Sequence, residues 1–133
     1  MPAEQEIAET LIAMESAALR RWGNGDPSGF LEISAPDVVY FDPYQEKRID
    51  GIDALTQYYK SIWGQVRFDR FELINPCVQV SGNLAVLTFN YASYTGDKIS
   101  LWNCTEVYRQ SESGWQIIQT HWSYTRHPGI VGN

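Results

Sequence analysis

Residues 98–125, KISLWNCTEVYRQ then SESG then WQIIQTHWSYT, decide the fold. Two long runs rich in β-branched and aromatic residues flank the turn Ser111-Glu112-Ser113-Gly114, the pattern of a β-hairpin. Closing it with Gln110 opposite Trp115 sets Glu106 against Gln119 and Cys104 against His121. Side chains on a strand alternate between faces, so Trp102, Cys104, Glu106, Tyr108, Ile117, Gln119, His121 and Ser123 are expected to share one face. A carboxylate, an amide and an imidazole in an aromatic field read as a ligand pocket. Asn103, Thr105, Thr120 and Trp122 are expected on the other face.

Upstream of the hairpin, Arg67–Ser81 and Leu84–Thr95 read as two more long strands, separated by Gly82-Asn83 and followed by Gly96-Asp97. Before them come helices. Apolar residues at Ile7, Leu11, Met14, Ala18 and Trp22 recur in steps of three and four, marking one face of a helix over residues 3–22 that ends at Gly23-Asn24-Gly25. Asp26-Pro27 offers a cap and a first-turn proline for a short helix to about Ser34, stopped by Pro36. Asp37–Asp42 reads as a strand ended by Pro43, and Arg48-Ile49 as a short extended piece. Ile52 to about Trp63 is a third helix with Ile52, Leu55, Tyr59 and Ile62 as its buried stripe. Helices first and a meander of strands last is an α+β order, three helices packed on one face of a strongly curved antiparallel sheet. The residues expected to line the pocket are Tyr40, Trp63, Phe89, Tyr91, Trp102, Cys104, Tyr108 and Gln119.

At 133 residues the chain is expected to form a single domain over 1–133. A chain of this size buries roughly 65–70% of its unfolded surface and needs no disulfide or metal to hold it. Cys77 and Cys104 fall on strands separated by a third, which argues against a bridge; two unpaired thiols fit a reducing cytoplasm. The acidic N-terminus lacks the pattern of a signal peptide, and no run approaches a membrane span. Ten basic and sixteen acidic residues give a net charge of −6, which opposes binding to nucleic acid or anionic lipid. Aromatic residues, 14% of the chain, exceed what one small core needs, so some are expected to line a cavity or a subunit interface. Helices cover only one face of the sheet, so the second face is expected to meet another copy, with Asn103, Thr105, Thr120 and Trp122 in the contact of a homodimer.

The order of elements, with Asn24-Gly25-Asp26, Phe41-Asp42-Pro43, Gly51-Ile52, Ile74-Asn75-Pro76 with Val78 and Val80, Thr105-Glu106-Val107-Tyr108, Gly114-Trp115-Gln116 and His121-Trp122-Ser123, resembles the nuclear transport factor 2 superfamily. These are cone-shaped folds that include ketosteroid isomerases and SnoaL-like polyketide cyclases. The chain is similar in particular to the association domain of calcium/calmodulin-dependent kinase II and its stand-alone bacterial relatives. The fold hosts isomerases, dehydratases, hydrolases and oligomerisation modules, so the resemblance leaves activity open. Where Glu106 stands the kinase domain has an arginine, so a preference for anions does not carry over to that position.

Three residues are candidates for chemistry. Asp42 matches by position the general base of the isomerases and shares a face with Tyr40; a carboxylate in an apolar cavity exchanges protons near neutral pH when desolvation raises its pKa. Glu106 lies near the isomerases' protonated acid, but their second oxyanion donor, a tyrosine of the first helix, is replaced here by Ala18. His121 is the third, an acid or base partner to Asp42 if the first and last strands are neighbours, as in the family. Asp42, Glu106 and His121 show no metal-ligand spacing, and no phosphate loop or nucleophile elbow is present, so neither metal nor cofactor is expected. His127, near the C-terminus, is expected to be exposed or interfacial. The reading is a cytoplasmic homodimer binding a small, largely apolar molecule in its cone. A lyase or isomerase using Asp42, and a structural oligomerisation domain, are the alternatives.

Overall fold

The computed structural model describes residues 3–125; His127 lies outside them. Its elements are α1 (Glu4–Trp22), α2 (Ser28–Glu32), β1 (Ser34–Phe41), β2 (Ile49–Asp50), α3 (Ile52–Ser61), β3 (Arg70–Ser81), β4 (Leu84–Thr95), β5 (Lys98–Ser111) and β6 (Gly114–Tyr124). Six strands form one curved sheet in the order β2-β1-β6-β5-β4-β3. The sheet is mixed, because β1 reaches β6 after α1 and α2 and runs parallel to it, while every other pair is antiparallel. The helices lie over one face, and the core, with Leu11, Leu19, Val38, Leu55, Leu87, Tyr108 and Ile117 almost fully buried, fills the space between.

The second helix is shorter than its capping signals suggest, because Ser34 already pairs with Ile117 of β6. Pro36 therefore sits inside β1. It is accommodated where the pairing with β6 lapses, between Ser34 and Val39, so the missing N–H leaves no gap in the ladder. Pro27 rather than Asp26 stands at the N-cap of α2, one place before the first turn; Asp26 Oδ1 still accepts the Ser28 N–H at 3.0 Å, and its other oxygen accepts from Arg21 Nε at 2.9 Å.

The largest departure from the sequence reading lies in the last hairpin. Pairs from Ser111↔Gly114 to Tyr108↔Ile117 keep the expected register, but Val107 then pairs with Gln119. Ile118 is left without an opposite residue: a β-bulge. One inserted residue turns the rest of β6 over, because side-chain direction alternates residue by residue. Glu106 thus faces Thr120 rather than Gln119, and Cys104 faces Trp122 rather than His121. Thr120 is buried and Trp122 packs inside against Phe89, Tyr91 and Trp102, so neither belongs to the outer face to which the sequence assigned them. Gln119 and His121 are exposed on that outer face, beside Asn103 and Thr105.

Candidate functional site

Between α3, the loop at Gly64–Phe68 and the open ends of β1, β4, β5 and β6 lies a cavity of about 600 Å³. Half of its lining residues are aromatic, among them Trp22, Tyr40, Tyr58, Tyr91, Trp102 and Trp122; Asp42 and Arg67 are its charged members. Volume and lining suit a small, mostly apolar molecule held by a few polar groups.

Asp42 occupies this wall because β1 stops at Phe41 and Pro43 turns the chain away. Its Oδ1 accepts the Tyr44 N–H at 2.7 Å, capping the turn, and its Oδ2 accepts hydroxyl protons from Tyr40 at 2.7 Å and Tyr58 at 2.6 Å. Tyr40 comes from β1 two residues earlier, on the same face, and Tyr58 from α3. Burial raises the pKa of both phenols, and the Asp42 carboxylate raises them further, so both stay protonated and keep donating. Asp42 itself is only partly buried, less than the sequence reading required. Tyr58 escaped the sequence reading; its signal is the step of one from the buried Tyr59, which places it at the edge of the α3 stripe.

Glu106 is elsewhere. It is fully buried under α1 beside Glu15, also fully buried, and neither lines the cavity. Tyr108 donates to Glu15 Oε1 at 2.8 Å, while Glu15 Oε2 and both Glu106 oxygens lack a close hydrogen-bond partner among the described residues, the Thr120 hydroxyl opposite Glu106 being a donor that acts on its carboxyl. With one carboxyl protonated, the two groups can hydrogen-bond to each other. Burial raises the pKa of Glu106 well above the usual range, reinforced by the neighbouring Glu15 charge, and burial raises Glu15 as well. Two carboxylates in so dry a site cannot both ionise cheaply. Glu15 was also missed, although it continues the strict four-residue series Ile7, Leu11, Glu15, Leu19 on the apolar stripe of α1.

Of the other expected residues, Tyr40, Tyr91 and Trp102 line the cavity. Cys104, Tyr108 and Phe89 are buried core residues on the inner face that do not reach it. Trp63 is 51% exposed beyond the end of α3, because the helix finishes at Ser61 and its last stripe position is Ile62. His121 and Gln119 are removed from the site by the bulge, and His121 instead lies against Phe41 with ring centroids 5.1 Å apart. Asp42, Glu106 and His121 therefore do not converge. Glu15, Cys104 and Glu106 do lie close together, a donor set that is fully buried.

The SnoaL-like domain model matches residues 16–118. Among solved structures, a Parabacteroides distasonis ATCC 8503 protein whose assignment as a ketosteroid isomerase is provisional shares 49% sequence identity, with 90% of this chain and 89% of that one covered and a TM-score of 0.83. A Pseudomonas putida KT2440 protein of the nuclear transport factor 2-like fold and unknown function aligns at 23% identity over 96% of this chain and 93% of that one, TM-score 0.81. The S. rosetta calcium/calmodulin-dependent kinase II hub aligns at 19% identity over 94% of this chain and 100% of that one, TM-score 0.73. No curated protein matches the sequence.

Proposed function

Because the chain belongs to the SnoaL-like domain family and its cavity presents one hydrogen-bonded carboxylate to an aromatic interior, we propose that it binds a small, largely apolar carbonyl compound and that Asp42 accepts a proton from it. The position of Asp42 carries this reading: its Oδ2 is held by Tyr40 and Tyr58 on the cavity wall. A base so fixed needs no reorganisation to meet an acidic C–H, the geometry that general-base catalysis in a lyase or isomerase requires. Tyr91 and Trp102 line the cavity, and the Tyr91 hydroxyl and Trp102 indole N–H are buried donors without a hydrogen-bond partner among the described residues, which a small side-chain rotation would turn toward the carbonyl oxygen. They take the place of the isomerases' pair, since Ala18 carries no hydroxyl and Glu106 is sealed off. Trp22, Trp102 and Trp122 give a direct readout. Titration with 2-tetralone should quench tryptophan fluorescence saturably, and Tyr91→Phe should weaken binding several-fold; no saturable quenching would contradict the reading.

A second reading concerns assembly. The outer face of the sheet, centred on Val86, Thr88, Thr105 and Val107, is half-exposed and uncharged, and exposed Ile74 continues it on β3. Kinase association domains among the structural relatives support self-association. The homodimer contact then includes Asn103 and Thr105 with Gln119 and His121, in place of Thr120 and Trp122. Light scattering should show a dimer at micromolar concentration that Val107→Arg dissociates; a wild-type monomer would overturn it.

A further inference from the structure

One cation of the cavity wall, Arg67, is exposed and unpaired among the described residues. The Arg67 side chain lines the cavity, and among the described residues it makes no ion pair or side-chain hydrogen bond. Other arginines of the chain are engaged. Arg21, Arg48, Arg70 and Arg109 are each bound to a carboxylate.

The backbone around Arg67 is built to hold it there. Asn24 and Arg67 form an isolated antiparallel bridge, Gly64 N–H donates to Gly25 O at 2.8 Å, and Phe68 N–H donates to Gly23 O at 3.2 Å. The loop after α1 and the segment before β3 are thereby zipped together. Gly25 has φ +83°, and a Cβ there would stand 3.1 Å from Cζ and from one terminal nitrogen of Arg67. The guanidinium is seated against Gly25, whose φ of +83° favours glycine over any residue with a side chain.

We infer that Arg67 is a specificity-determining residue that receives a carboxylate of the ligand, so the substrate class is an apolar carbonyl acid. This rests on the ligand-binding reading above. Guanidinium meets carboxylate through two parallel N–H···O bonds, which fix orientation as well as charge, and so the apolar body of the ligand lies between Arg67 and the Asp42 end. A single negative charge fits better than a dianion. The chain carries −6 overall, and Arg67 is the one cation of the described cavity, facing a site that already contains Asp42.

The test compares 2-tetralone with its 6- and 7-carboxylates, using tryptophan quenching at low salt. In the wild type, one carboxylate should bind about tenfold more tightly than the ketone, a charge-assisted bidentate contact's worth. Arg67→Ala should abolish that preference, read as the ratio of the acid's to the ketone's dissociation constant within the variant, and Arg67→Lys should restore part of it. High salt should erode the preference wherever position 67 keeps its charge. Equal affinity for ketone and acids in the wild type, or a preference that survives Arg67→Ala, overturns the role of Arg67 and leaves the cavity reading intact. Failure of all three compounds to bind the wild type overturns both.

Discussion

Asp42 and Glu106 are carboxyl groups attached to strands of one sheet, yet they answer to opposite surroundings. Asp42 borders a cavity and receives three donors, two phenols and a backbone N–H. Glu106 is sealed beneath α1 against a second carboxyl, where desolvation keeps a proton on the pair. The contrast separates two kinds of carboxyl that sequence alone makes look alike. A large pKa shift marks the one that is locked away, whereas chemistry requires the one that a ligand can touch.

The largest effect that can break this contrast is on stability. Glu15→Ala leaves Tyr108 and Glu106 unpartnered and opens a hole in the core, so it should cost about 2–4 kcal/mol in urea unfolding. A change near zero would mean that the pair is not packed as described. Next comes pH dependence. A carboxyl whose folded pKa is raised holds its proton more tightly in the folded chain than in the unfolded one, so the fold loses stability as pH rises above the ordinary glutamate value, about 4.3. The loss ends once the folded value has been passed. Glu106→Gln mimics the protonated form and should flatten this part of the profile, gaining on the order of 1 kcal/mol over wild type at alkaline pH. Parallel melting-temperature profiles for the two proteins would contradict a proton kept on the pair. The smallest effect belongs to the cavity: Asp42→Asn weakens an acceptor of two phenols and a turn cap, and should cost about 1 kcal/mol at neutral pH. A gain in stability instead would show that Asp42 is a strained, desolvated charge.

Most of the architecture was legible because apolar periodicity and glycine-containing turns are local signals. The helix face through Ile7, Leu11 and Ala18, the strand Leu84–Thr95 and the hairpin turn at Ser111–Gly114 all emerged close to where the structure places them. The site was less legible for one specific reason. Ile118 continues the alternating pattern of β6 without announcing that it is unpaired, so the bulge exchanged His121 and Gln119 for Thr120 and Trp122. Trp122 is too large and apolar for an exposed position, and that preference was the available warning. Glu15 was hidden by the habit of reading Met14 as the stripe residue, and Arg67 because an arginine at a strand start looks like ordinary surface. Asp42 survived because Pro43 fixes where its strand ends.

The most direct test of the account is deuterium incorporation at the α-carbons of 2-tetralone in D2O, followed by proton NMR. The wild type should accelerate exchange over buffer by at least about a hundredfold, within the range of a positioned general base. Asp42→Asn should fall back to the buffer rate, while Glu106→Gln, altered at the sealed pair, should stay close to wild type. Exchange that survives Asp42→Asn, or that vanishes with Glu106→Gln in a folded protein, would contradict the assignment of the proton acceptor to the cavity carboxylate.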